Sequence, residues 1–130
     1  SNTGYAYLKD PSTGVSVTIS NSDSNVSFGI ITEKLEGPSD GEKDGILANS
    51  QYFGVALLGI SGGNAKICVP DNCLYPSMVM LYSTGYGWSN LSGISFIKNG
   101  VCGNVSAAAF MDSYFVDSFT DVVIGEPTER

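Results

Sequence analysis

The segment FGVALLGISGGNAKICVPDN, residues 53–72, places an apolar run ahead of Gly62-Gly63 and a lysine, Lys66, just after them. Strand, glycine turn and lysine are ingredients of a phosphate cradle, in which backbone amides wrap the anion and a helix N-terminus faces it. That loop requires G-x-x-x-x-G-K-[ST]. Counted from Gly59, Asn64 falls at the second glycine, Ala65 at the lysine and Lys66 at the hydroxyl. The spacing fails, and AKICV continues as a strand where a helix should open. Two alternating apolar runs about Gly62-Gly63-Asn64 predict instead a tight hairpin, Tyr52–Gly59 against Ala65–Val69.

Other chemistry is thinly supplied. DGEKDG (40–45) has acids at loop positions 1, 3 and 5 and glycine at 6, as a calcium loop would. Position 12 is Gln51, which cannot give the bidentate carboxylate, so a solvated acidic loop is the expectation. The chain contains no histidine, which removes the commonest general base and any Ser/His or Cys/His nucleophile pair. Three cysteines without histidine cannot complete the usual four zinc ligands. The expectation is a protein that is no enzyme, with no catalytic residues, no metal and no cofactor.

Cys68 and Cys73 could bridge across the turn CVPDNC; as buried free thiols they would act as small hydrophobes. The odd count, with Cys102 as the third, leaves at least one thiol free or paired between chains. The glycine-flanked loop TGYGWSN (84–90) gathers Tyr82, Tyr86 and Trp88, the only tryptophan. Such aromatics form either a sugar-stacking or protein-binding platform, or a cover over one end of the core. Asn25, Asn90 and Asn104 each begin an Asn-x-Ser sequon, which matters only in an exported protein.

The elements that must position these residues read as β nearly throughout. GVSVTIS (14–20) alternates strictly, with Val15, Val17 and Ile19 on one face, and VSFGIITEK (26–34) is its expected partner strand. LEGPSDGEKDG (35–45) reads as a polar surface loop. PSMVMLYS (76–83), GISFIKNG (93–100) and DVVIG (121–125) read as further strands, and VSAAAFMDSYF (105–115) as the one stretch that could be a short helix, its β-branched and Ser-rich flanks fitting a strand equally well. The expected fold is all-β: a small antiparallel barrel or sandwich with Gly-rich turns, forming a single domain over residues 1–130.

Composition agrees. In 130 residues, 42% are hydrophobic, enough for a packed core. Six basic against thirteen acidic residues give a net charge of −7, which repels nucleic acid and anionic lipid. The acids cluster at Glu33–Asp44 and Asp112–Glu129. No apolar stretch reaches the ~18 residues of a membrane helix, so a soluble domain is expected.

One larger pattern runs through residues 26–125. Gly29-Ile30, then Val55-Ala56-Leu57-Leu58-Gly59, then Gly103 with Ala107-Ala108, then Val122-Val123-Ile124 follow in an order that resembles the head decoration (cement) proteins of tailed bacteriophages. The cysteines and the aromatic loop 84–90 depart from that pattern. The resemblance implies a small β-barrel-like domain on the outer capsid surface of the virion, without catalysis, bound to the major capsid protein and to itself as a homotrimer. It also implies binding through an N-terminal arm and a loop edge. In residues 1–13, Tyr5, Tyr7 and Leu8 are the apolar anchors such an arm would use to add a strand to a neighbour's sheet; the other reading is a first strand of the chain's own sheet. Two alternatives stand beside the decoration protein: an exported pilin-like or adhesin sandwich at the cell surface that polymerises by strand addition, and a carbohydrate-binding module using Tyr86 and Trp88.

Overall fold

A computed structural model describes residues 6–20, 29–36, 47–59, 62–71, 77–83, 88–107 and 120–127. Among them ten strands follow in chain order: β1 (Ala6–Lys9), β2 (Ser16–Ser20), β3 (Gly29–Leu35), β4 (Leu47–Leu58), β5 (Asn64–Pro70), β6 (Val79–Ser83), β7 (Trp88–Asn90), β8 (Ser92–Ile97), β9 (Gly100–Ser106) and β10 (Thr120–Pro127). They form two five-stranded sheets, ordered β1-β2-β5-β9-β8 (sheet A) and β3-β4-β10-β6-β7 (sheet B), every neighbouring pair antiparallel. The fold is an all-β sandwich.

Period-2 alternation builds the core. Val15, Val17 and Ile19 beside β2, Ala65, Ile67 and Val69 from β5, and Val101 and Val105 from β9 point in from sheet A. Phe53, Val55 and Leu57 from β4, Met80 from β6, and Val122 and Ile124 from β10 meet them from sheet B. Gly103 faces the same interior, where a Cβ would stand 2.9 Å from the Leu91 side chain and 3.0 Å from the Met80 sulfur. A side chain there would overfill a closely packed layer.

Two expected pairings are overturned. β4 and β5 are not a hairpin, because β4 pairs with β3 and β10 while β5 pairs with β2 and β9. Each run carries an apolar inward face, and the pair closes the core from opposite sides. The chain between them arches from one sheet to the other, with Gly59, Gly62 and Gly63 at positive φ (75°, 134°, 96°). The arch is fastened where the Ala107 amide donates to the Gly63 carbonyl at 2.9 Å. Likewise β2 does not pair with β3: its neighbours are β1 and β5, and β3 lies at an edge of the other sheet.

β9 takes up the start of the stretch that the sequence reads as helix or strand: Val105 and Ser106 belong to this strand, and residues 108–115 lie outside the described residues. Among the described residues there is no α-helix, and none long and apolar enough to cross a membrane. Ala6–Lys9, the centre of the expected arm, is the edge strand of its own sheet A, paired with β2 from Ala6↔Ile19 to Lys9↔Ser16.

Candidate functional site

Cys68 on β5 and Cys102 on β9 occupy the same register position and are joined by a disulfide, with Cα atoms 4.0 Å apart. That spacing belongs to a close, non-hydrogen-bonded antiparallel pair. The expected Cys68–Cys73 bridge is therefore replaced by Cys68–Cys102. Cys73 is five residues from Cys68 along the chain, but the ladder puts Cys102 directly opposite it; Cys73 itself lies outside the described residues.

The bridge lies on the outer face of sheet A, since its flanking residues Ile67, Val69 and Val101 fill the core. Register defines that face row by row. One row runs Lys9–Ser16–Cys68–Cys102–Ser95, and the next Tyr7–Thr18–Lys66–Asn104–Ser92. At the end of the sheet Pro70, Gly100 and Ile97 stand side by side. Gly100 is required there, because a Cβ would meet the Val69 carbonyl oxygen at 2.9 Å. At the Cys68–Pro70 end of the sheet, small residues on β2, β5 and β9 thus lie between longer ones at the margins, with Lys66 standing one row away on β5. The result is a cleft of about 300 Å3. Its floor is Ser16, Cys68, Pro70 and Gly100; Tyr7 and Lys9 wall it on the β1 side, Ile97 and Lys98 on the β8–β9 side.

Charge separates the two sheets. The five strands of sheet A and the Lys98-Asn99 turn hold Lys9, Lys66 and Lys98 and no aspartate or glutamate, in a chain of net charge −7. The two acids that border the sheet are turned to other tasks. Asp10, following β1, accepts hydrogen bonds at Oδ1 from the Ser12 amide (3.0 Å) and hydroxyl (2.7 Å), and at Oδ2 from the Thr32 hydroxyl (2.7 Å). Because Thr32 donates to Asp10, the Thr13 hydroxyl is the donor in its bond to Thr32. This chain of hydroxyls ties the β1–β2 turn of sheet A to β3 of sheet B. It holds the Asp10 carboxyl below its ordinary value of 3.8, the Ser12 hydroxyl contributing most and the Thr32 hydroxyl next. Asp71, just after β5, is buried and raises the pKa of Lys34 against the larger lowering by burial. The Lys34 ammonium sits 4.8 Å from the Phe53 ring centroid.

The aromatic residues singled out in the sequence are not brought together. Tyr82 packs against the main core, whereas Trp88 joins Tyr52, Val123, Leu35, Val79 and Leu81 in a second apolar cluster on the opposite face of sheet B. Trp88 and Tyr52 rings lie 6.4 Å apart at 55°. Tyr82 and Trp88 therefore share no platform, and Tyr86 lies outside the described residues. Of the arm residues, Tyr7 is 60% exposed and faces outward, Leu8 is half-buried on the other side of β1, and Tyr5 lies outside the described residues. Of the sequons, Asn90 is exposed, the Asn104 side-chain oxygen accepts a hydrogen bond from the Asn64 side-chain Nδ2 (3.2 Å), and Asn25 lies outside the described residues. The acidic loop 40–45 lies outside them too, and among the described residues no cluster of His, Cys, Asp or Glu could hold a metal ion. Lys9, Ile97 and Lys98 were not singled out in the sequence, and Cys102 entered only as the third thiol; alternation along β1 puts Lys9 on the face of Tyr7, whereas Ile97, Lys98 and Cys102 join that face only through the register of β5, β8 and β9. Compared with known proteins, the chain matches no family model, no curated protein and no solved structure.

Proposed function

We propose that the chain is a non-enzymatic structural subunit of an exported assembly, working outside the reducing cytosol and joining neighbouring copies through the β8 edge. The observation that carries this reading is the Cys68–Cys102 disulfide. Disulfides persist in oxidising compartments and are rare where glutathione keeps thiols reduced. A phage decoration subunit shares the non-catalytic, surface-binding character, but it meets its shell in the reducing cytosol, so the bridge favours the exported alternative.

The edges supply the means of joining. A sandwich leaves four edge strands, and natural proteins blunt such edges with shortness, charge or bulges. β1 has four residues and ends in Lys9, β7 has three, and β3 carries Glu33-Lys34. β8 has six residues, SGISFI, without charge or proline. It bears Phe96 (44% exposed) and Ile97 (48% exposed), and its one irregularity, between Ser92 and Ser95, leaves Ser95–Ile97 in regular extension. A strand from another copy that paired there would satisfy the edge's backbone groups and pack beside Phe96, leaving Ile97 on the outer face of the sheet.

Alkylation of free thiols on native material, followed by peptide mass mapping, tests the compartment. Cys68 and Cys102 are expected to be recovered as one linked pair. Recovery of both as alkylated thiols would defeat the exported reading and restore the capsid decoration protein as the better one.

A further inference from the structure

We propose that the cleft over the Cys68–Cys102 bridge binds an acidic saccharide, with Lys9 and Lys98 taking its carboxylate or sulfate and the Tyr7 ring stacking on a sugar face. This deepens the surface-binding reading and rests on it, because an extracellular glycan is met only by an exported chain.

Three observations select that ligand class. The first is charge. The chain carries six basic residues in all, three of them stand on sheet A or its Lys98 turn, and no acid shares those strands. Lys9 and Lys98 have no ion-pair partner among the described residues, and Lys66 stands one register row along the same face. Lysines grouped with no acid beside them among the described residues, in a protein of net charge −7, favour a compact anion, and a nucleic acid, with its phosphates in long array, would be repelled by the rest of the molecule.

The second is surface chemistry. Tyr7 and Ile97, 60% and 48% exposed, line the cleft from its two sides. A bare phosphate or sulfate ion would use the lysines and leave this apolar surface idle. A pyranose ring presents C–H groups to an aromatic face and hydroxyls at its edge, for which Ser16 and Asn99 supply polar groups. The third is the backbone. The floor strands β2 and β5 are interior to the sheet, so their ladder groups are already paired. An extended peptide laid on this face finds no edge to pair with, whereas a saccharide has no amide groups to satisfy. A cleft of about 300 Å3 lies at the small end of ligand sites, suited to one or two sugar rings.

Titration calorimetry on the oxidised full chain tests the proposal with four probes: trigalacturonate, a sulfated heparin tetrasaccharide, neutral cellotriose and hexaglutamate. At least one acidic saccharide is expected to bind, to weaken with added salt, and to outcompete both cellotriose and hexaglutamate. Lys9→Ala and Lys98→Ala are each expected to weaken it about tenfold, the loss of one charge-assisted hydrogen bond. Tyr7→Ala is expected to weaken it without changing the salt dependence. All three side chains are exposed, so the variants keep the fold. Equal binding of cellotriose, equal binding of hexaglutamate, no binding of either acidic saccharide, or binding indifferent to Lys9 and Lys98 would each overturn it. The exported reading is scored separately by the thiol map: a linked Cys68–Cys102 pair with no saccharide binding defeats the cleft assignment alone.

Discussion

Replacing Cys68 and Cys102 together by alanine is expected to cost the fold about 4 kcal/mol. The bridge closes a loop with a sequence separation of 34. In the chain-entropy account, a cross-link of that span removes roughly this much free energy from the unfolded ensemble. Alanine is the right replacement, because Cys102 is 1% exposed and a serine there would bury a hydroxyl in need of a partner. Against a total stability of about 5–15 kcal/mol, the loss is a large fraction of what holds the domain folded. Urea denaturation reads it as a drop in midpoint on the order of 2 M, and wild-type protein with reductant should move in the same direction. A midpoint unchanged by both treatments would show that the two sulfurs are not bonded in the folded protein. The bridge joins β5, the central strand of sheet A, to β9 beside it, so its loss should loosen that sheet ahead of sheet B.

Phe53→Ala is expected to cost a similar amount, about 4 kcal/mol, for an unrelated reason. Phe53 is 1% exposed, projects from the middle of β4 into the main core, and has Lys34 of β3 and Val122 of β10 as its register neighbours. Truncation removes the transfer free energy of the ring and leaves a cavity that two hydrogen-bonded sheets cannot collapse to fill. Phe96→Ala is the control. Its side chain is 44% exposed on an edge strand, and the change should stay within about 0.5 kcal/mol. Thermal or urea unfolding of the pair measures both. A loss below about 1 kcal/mol at Phe53 would mean that β4 does not present this face to the core. Lys34 covers the outer end of the same ring, so part of the cost reflects that lost contact.

Much of the fold was legible because alternation reports burial directly. Val15, Val17 and Ile19 are read on one face of their strand in the sequence and are inward in the structure. Alternation does not say which sheet a strand joins, since Val17 on sheet A and Val55 on sheet B face the same interior. That is why Gly62-Gly63-Asn64 reads as a hairpin turn although the chain there arches between sheets. β9 was illegible for a different reason. Gly100 and Gly103 interrupt its apolar pattern, and both are glycines because neighbouring atoms leave no room for a Cβ. With β9 unseen, the partner of Cys68 was unseen as well. Proximity along the chain then favoured Cys73. The candidate cleft depends on register across five strands, from Lys9 through Cys68 to Ser95, and no local pattern carries that information. Tyr82 and Trp88 failed as a pair for the same reason: they are six residues apart, yet they face opposite sides of sheet B.

Assembly through β8 is the centre of the proposed function, and its most direct test is the mass of the protein in solution. Size-exclusion chromatography with light scattering, run over a range of concentrations, should show wild-type oxidised protein passing from monomer to larger species. Ile97→Lys should hold it at the monomer mass, because a lysine on the free edge opposes pairing while disturbing no core contact. A wild-type chain that stays monomeric at every concentration, or an Ile97→Lys variant that associates as the wild type does, would contradict assembly through this edge.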